Sequence, residues 1–128
     1  MRGGDSTARG FTLIELLVVL GIVALLLTLA GPRYFQHIQT AKEAALRENL
    51  QTLRRVIDAY YEDLGRYPDS LDEMVEKHYL RSVPKDPITD SNTTWATVSA
   101  PDGYEGSIYD IKSGAAGSAR DGTPYSEW

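Results

Sequence analysis

The 128-residue chain contains no cysteine. Neither a disulfide framework nor a thiolate metal site is open to it. Histidine is nearly as scarce: His37 and His78 are the only two. Both fall in helical patterns, where a lone imidazole is a surface or boundary residue before it is a base. Positive charge is also short. Thirteen Lys and Arg stand against 18 Asp and Glu, a net charge of −5. An acidic chain without a basic stripe is not built to bind nucleic acid. A nucleophile elbow, a phosphate-cradling glycine loop and an internal repeat are missing as well. These absences argue against an enzyme.

Long apolar runs are absent too, with one exception: Phe11–Ala30, FTLIELLVVLGIVALLLTLA. As an α-helix at about 1.5 Å per residue it spans roughly 30 Å, the thickness of a bilayer's hydrocarbon. Its only charge is Glu15. An ionised carboxylate there is costly and calls for a partner. Arg2 and Arg9 outweigh Asp5 in the short segment before it, which keeps the N-terminus cytoplasmic and sends the C-terminus across. A cleaved secretory signal, cut after Thr28-Leu29-Ala30, is the plainer alternative. The length of the run and the Glu inside it oppose that alternative.

The order Gly10-Phe11-Thr12-Leu13-Ile14-Glu15, followed by Leu16-Leu17-Val18-Val19, resembles the class III signal of type IV pilins and type II secretion pseudopilins. The resemblance implies that a prepilin peptidase cuts between Gly10 and Phe11 and methylates the new Phe11 amine. It implies that the apolar helix later leaves the bilayer for the core of a filament. There the Phe11 amine of one subunit can meet the Glu15 carboxylate of a neighbour, each charge satisfying the other at low dielectric. The alternatives for Glu15 are a pair with its own subunit's amine or snorkelling to the interface. The parts are then a leader, 1–10, a transmembrane and filament-core helix, 11–32, and a periplasmic head, 33–128.

Gly31-Pro32 is expected to kink or locally open the helix. Beyond it, Ile38, Ala41, Ala45, Leu46, Leu50, Leu53, Ile57, Tyr60 and Leu64 recur at spacings of three and four. They mark one face of an amphipathic second half. Gly65-Arg66-Tyr67-Pro68 ends it. Asp69 or Ser70 caps a second helix, with Leu71, Met74, Val75, His78 and Tyr79 as its apolar contacts. Tyr60, Tyr61, Tyr67 and Tyr79 read as core and boundary aromatics. Two short strands are expected, Thr93–Val98 with Trp95 as anchor, and Gly106–Ile111, with a turn at Asp102-Gly103. Asn92-Thr93-Thr94 matches a glycosylation acceptor and is read as a polar loop. The fold class is α+β: one long N-terminal helix, transmembrane half plus amphipathic half, packed on a small head with a short helix and a small antiparallel sheet.

The run GRYP through VPKDP is similar to the major pseudopilin, the G class of type II secretion. The resemblance implies a structural subunit, not an enzyme, that polymerises from the bacterial inner membrane into a periplasmic pseudopilus. Its implied partners are further copies of itself, minor pseudopilins, the prepilin peptidase, an inner-membrane assembly platform with its ATPase, and lipid before assembly. A type IV pilin forming an extracellular fibre is the alternative, and the missing cysteine counts against the disulfide such pilins often carry. From another class, the alternative is a membrane-anchored periplasmic enzyme or binding module. The resemblance also implies a calcium ion in the C-terminal loop, Asp110–Gly122, held by Ser113 and Asp121 with Asp110 as a third side chain, and by backbone carbonyls. Ala116-Gly117 departs from the family there, where an acidic residue often precedes the glycine. A loop held without metal, by Tyr125 and Trp128 packing back on the head, is the competing expectation.

Overall fold

The computed structural model describes Gly10 and residues 12–128. The chain divides into two compact units, Met1–Ile38 and Gln39–Trp128. Helix α1, Leu13–Leu64, supplies the described helical part of the first unit and one wall of the second. It stays helical through Pro32, so of the kink or local opening expected at Gly31-Pro32 the opening is absent. The helix tolerates this proline because a single missing N–H removes one bond from a long ladder.

In the first unit the apolar stretch has no core to face. Residues 12–30 are all exposed, and the most apolar window of the helix reaches a mean hydropathy of 2.8. An unburied helix that is apolar all round is stable in lipid or inside a bundle, not in water.

In the second unit the same helix becomes one-sided. Leu46, Leu50, Leu53, Ile57 and Tyr60 are buried, a stripe with the expected three-four spacing. The stripe is narrower than its sequence pattern. Ala41 and Ala45 are exposed, and Leu64 lies beyond the head's edge at 46 % exposure. Across from the stripe sit Met74, Trp95, Ile108, Ile111 and Tyr125, which complete one hydrophobic core.

Helix α2, Leu71–Glu76, begins at Ser70, whose hydroxyl accepts the Glu73 N–H at 3.0 Å. Glu73 reaches back to the Asp69 N–H at 2.8 Å, so both ends of the first turn are satisfied reciprocally. The helix ends with His78 in the left-handed region, φ 66°. Its N–H goes to the Val75 carbonyl, and that of Tyr79 to the Met74 carbonyl, the paired bonds of a Schellman end. His78 is therefore exposed at a turn and is not among the apolar contacts of α2.

The sheet has two antiparallel strands, β1 (Ala96–Val98) and β2 (Asp110–Lys112), with Thr97 opposite Ile111. The expected second strand, Gly106–Ile111, thus starts four residues late. Ser107 and Ile108 send their hydrogen bonds elsewhere, both donating to the Pro68 carbonyl, and only at Tyr109 does an N–H reach β1, at the Val98 carbonyl. The turn at Asp102-Gly103 is present, with the Tyr104 N–H on the Pro101 carbonyl and Gly103 at φ 93°. A 3₁₀ turn, Tyr125–Glu127, follows, with Tyr125 buried and Trp128 packed partly against the core.

Candidate assembly segment and head clasp

At its N-terminal end α1 is capped by a residue that the pilin-type motif does not single out. Thr12 Oγ1 accepts the Glu15 N–H at 3.1 Å. Thr-x-x-Glu is the spacing of a capping box, and a carboxylate in the first turn also faces the positive end of the helix dipole. Glu15 is exposed in the single subunit. It is well placed in the helix on local grounds, and its charge remains available for a partner outside the chain. Gly10 is exposed with open space around it; Phe11, the other half of the expected cleavage pair, lies outside the described residues.

The three residues expected around calcium go three ways. Asp110 Oδ1 is paired with Arg54 Nε at 2.9 Å and also accepts the Ile111 N–H at 2.7 Å. Ser113 is buried and donates its hydroxyl proton to Asp86 Oδ2 at 2.5 Å, while its oxygen accepts the Ala115 N–H. Asp121 closes a local turn by accepting the Thr123 N–H at 2.9 Å. That N–H is the main reason its carboxyl titrates below the ordinary range. Among the described residues no three His, Cys, Asp or Glu side chains gather as metal ligands would. As placed, Asp110, Ser113 and Asp121 are each engaged by a different donor or acceptor of the head.

A set of polar contacts centred on Asp86, which the sequence pattern did not single out, helps to close the head. Asp86 is fully buried. Besides Ser113 it takes the Ile88 N–H on its other oxygen, and its own N–H bonds the Ser91 carbonyl. An unpaired carboxylate there would be strongly destabilising, and these donors are what allow it. Trp95 Nε1 donates to the Pro84 carbonyl at 2.8 Å and Asn49 Nδ2 to the Lys85 carbonyl at 2.9 Å, so loop 84–91 is fastened to α1 and to the residue that precedes β1. Further along α1, Glu43 accepts the Arg120 N–H at 2.9 Å and the Tyr125 hydroxyl at 3.2 Å, while Arg120 Nη1 donates to Thr40.

On the opposite side of the head, Tyr60 donates to Glu73 at 2.5 Å, and Lys77 reaches the Tyr60 oxygen at 3.1 Å. The Tyr60 bond, with the Asp69 N–H, lowers the Glu73 carboxyl from its usual 4.5 to about 2. Burial raises the Tyr60 phenol. A carboxyl depressed on folding contributes stability above its unfolded value and loses it as pH falls toward the folded value. The head is therefore expected to weaken between pH 4.5 and about 2. Glu73→Gln should be clearly less stable than the parent at neutral pH, and the gap should close in this window. Denaturant midpoints of both chains across that pH range would check it; a gap constant with pH would remove Glu73 from the account.

Tyr61 and Tyr67 stack with ring centroids 4.5 Å apart, and Tyr104 and Tyr109 join them edge-on. This is a boundary cluster continuous with the core, as expected of Tyr61 and Tyr67. Both histidines are exposed.

The family described as the prokaryotic N-terminal methylation motif matches residues 5–31, which take in the apolar stretch of α1. Competence protein ComGC of Halalkalibacterium halodurans is 31% identical, over 56% of this chain and 70% of that protein. Type II secretion system core protein G of Klebsiella pneumoniae is 32% identical, over 62% of this chain and 68% of that protein. The chain belongs to the type IV pilin-like family that includes the type II secretion pseudopilins. Type IV major pilin protein PilA of Myxococcus xanthus is 32% identical over 52% of the pilin-like chain, which spans only 30% of that longer protein. No solved structure matches. With one uncovered apolar helix among the described residues, this pilin-like chain is a single-pass membrane-anchored protein.

Proposed function

We propose that the chain is a structural subunit of a periplasmic pseudopilus in a type II secretion system. A prepilin peptidase removes residues 1–10 and methylates the Phe11 amine. The mature subunit waits in the inner membrane, lipid around residues 11–32, N-terminus cytoplasmic and head periplasmic. An assembly platform and its ATPase then draw it into a homopolymer with minor pseudopilins. The observation that carries this reading is a methylation motif joined to an apolar helix that nothing among the described residues covers, with one carboxylate, Glu15, left over in its first turn. Lipid covers such a helix before assembly, and neighbouring helices cover it afterwards. Glu15 then supplies the one directional contact that an apolar bundle lacks. Nothing in the reading calls for a catalytic group.

Processing is tested by the mass of the chain extracted from membranes. It should begin at a methylated Phe11, and Gly10→Leu should retain the leader because a bulky residue cannot take the glycine's place at the cut. A chain beginning near Gly31 would overturn the reading in favour of a secretory signal. The likeness to the Myxococcus pilin supports a second reading, an extracellular fibre. Fibres sheared from the cell surface at native expression would decide for it.

A further inference from the structure

Arg33 is the first charged residue after Glu15. At about 1.5 Å per residue it lies about 27 Å further along α1, close to one hydrocarbon thickness. With the helix in a bilayer, Glu15 and Arg33 therefore fall at opposite interfaces. Positive charge at the translocated end of a span is disfavoured, so Arg33 calls for an anion. Among the described residues neither Arg33 nor His37, one turn further on, has an ion-pair partner. Leu26, Leu29, Ala30, Arg33, Tyr34 and His37 follow one another at helical spacing and line a groove of about 590 Å³. Its first half is aliphatic; its second carries a guanidinium, a phenol and an imidazole. Tyr34 also meets Phe35 edge-on, ring centroids 5.9 Å apart, and both rings are exposed. We infer that this groove holds an anionic phospholipid at the periplasmic face of the membrane, its phosphate on Arg33 and His37 and an acyl chain along Leu26, Leu29 and Ala30.

The inference rests on the orientation proposed above, with the head periplasmic. The groove changes along the helix in the order that a phospholipid does, hydrocarbon first and phosphate last. A guanidinium presents a fork of N–H donors that matches two phosphate oxygens, and an imidazole adds another donor. Tyr34 and Phe35 put aromatic rings at headgroup level, where such rings settle. The groove also continues the exposed apolar surface of residues 12–30, so a lipid reaches it without leaving the bilayer. Free phosphate would satisfy Arg33 and His37 but leave the aliphatic half uncovered. Holding Arg33 at the phosphate sets the depth of the span and keeps Glu15 at the other interface until assembly.

The test is native mass spectrometry of the chain extracted from membranes, in neutral detergent micelles holding equal amounts of phosphatidylglycerol and phosphatidylcholine. The parent should retain phosphatidylglycerol in preference by about fivefold or more, the share of one basic residue near an anionic surface. Arg33→Gln combined with His37→Gln should bring the ratio to about one, since the two basic donors are gone. Both positions are exposed, so the head of this variant should fold as the parent's does. Arg33→Lys keeps the charge and loses the fork, and its ratio should fall between the two. Excess inorganic phosphate should displace none of the retained lipid. Equal retention of the two lipids by the parent would overturn the inference. Displacement by inorganic phosphate would reduce the groove to a simple anion site and overturn it equally. So would a preference that survives in the double variant; if filament yield collapsed in that variant, the face would belong to a second copy of the chain. The same spectra give the first residue of the chain. A chain that begins at Phe11 and shows no lipid preference would sink this inference alone and leave the proposed function standing.

Discussion

Glu15→Leu is expected to insert into the membrane as well as the parent and to yield almost no filament. The apolar stretch loses its one charge, so its transfer into lipid becomes more favourable. In a filament the same change leaves each Phe11 amine without a counter-charge in a low-dielectric bundle. Stranding one member of such a pair costs about 3–5 kcal/mol. At about 1.4 kcal/mol per decade, that is a loss of more than a hundredfold in the affinity of subunit addition. The capping geometry provides a control. Thr12 bonds the Glu15 main-chain N–H, a bond any residue keeps, so a local role for the side chain reduces to the reach back of a capping box, which Gln can make as well as Glu. Glu15→Gln therefore separates the two. If the charge matters, it should fail to polymerise as Glu15→Leu does, while its membrane content stays at the parent level. Filament yield from sheared or cross-linked fractions is the readout. A Glu15→Gln chain that polymerises normally would confine the residue to the cap.

Gly106→Ala is expected to unfold the head. Gly106 has φ 101°, where an L side chain is strained, and a Cβ built there would lie 2.0 Å from the Tyr67 carbonyl oxygen and 2.5 Å from its carbon. Both atoms are backbone, so neither can swing aside. They belong to the bend that takes the Tyr67 N–H to the Glu105 carbonyl and the Ser107 and Ile108 N–H groups to Pro68. Moving them releases that seam and Ile108 with it. Strain alone at such a position is of order 1–3 kcal/mol. The clash adds to it, against a whole-domain stability of about 5–15 kcal/mol. Gly103→Ala provides the comparison, because Gly103 is also left-handed, φ 93°, with nothing within 4 Å of a built Cβ. It should lose only about 1 kcal/mol, the cost of strain without collision. Thermal midpoints of the two variants measured together would check the argument. Equal losses would mean that the seam at Tyr67 yields easily.

What could be read from the sequence follows from how local each feature is. The long helix and its buried stripe depend on spacing within one element, so Leu46 through Tyr60 stood out, as did the Ser70 cap and the turn at Gly103. The overreach at Ala41, Ala45 and Leu64 has the same origin. Periodicity marks a face but does not say where the head that covers it begins and stops. The second strand was placed early because Gly106–Ile111 has a strand-like composition. Its first residues bond to Pro68, nearly forty positions back, and no local pattern announces that. Asp86 and Arg54 were invisible for a related reason. A buried carboxylate and a bonded guanidinium look like ordinary surface charge until Ser113, Asp110 and Trp128 are brought to them by the chain's return. Thr12 is different: Thr-x-x-Glu ahead of an apolar run is a written signal for a helix start, overshadowed by the processing motif that shares its residues.

On the proposed function, the exposed apolar helix, once freed of its leader, becomes the core of a polymer held in register by Glu15. The most direct measurement is an electron cryo-microscopy reconstruction of the filament formed by the processed chain. The account predicts the helices from Phe11 to about Ala30 at the filament axis and the heads outside. Each methylated Phe11 amine should lie within hydrogen-bonding distance of the Glu15 carboxylate of a neighbouring subunit. A filament built through the heads with the apolar helices outside, or one in which Glu15 meets only its own subunit, would contradict it.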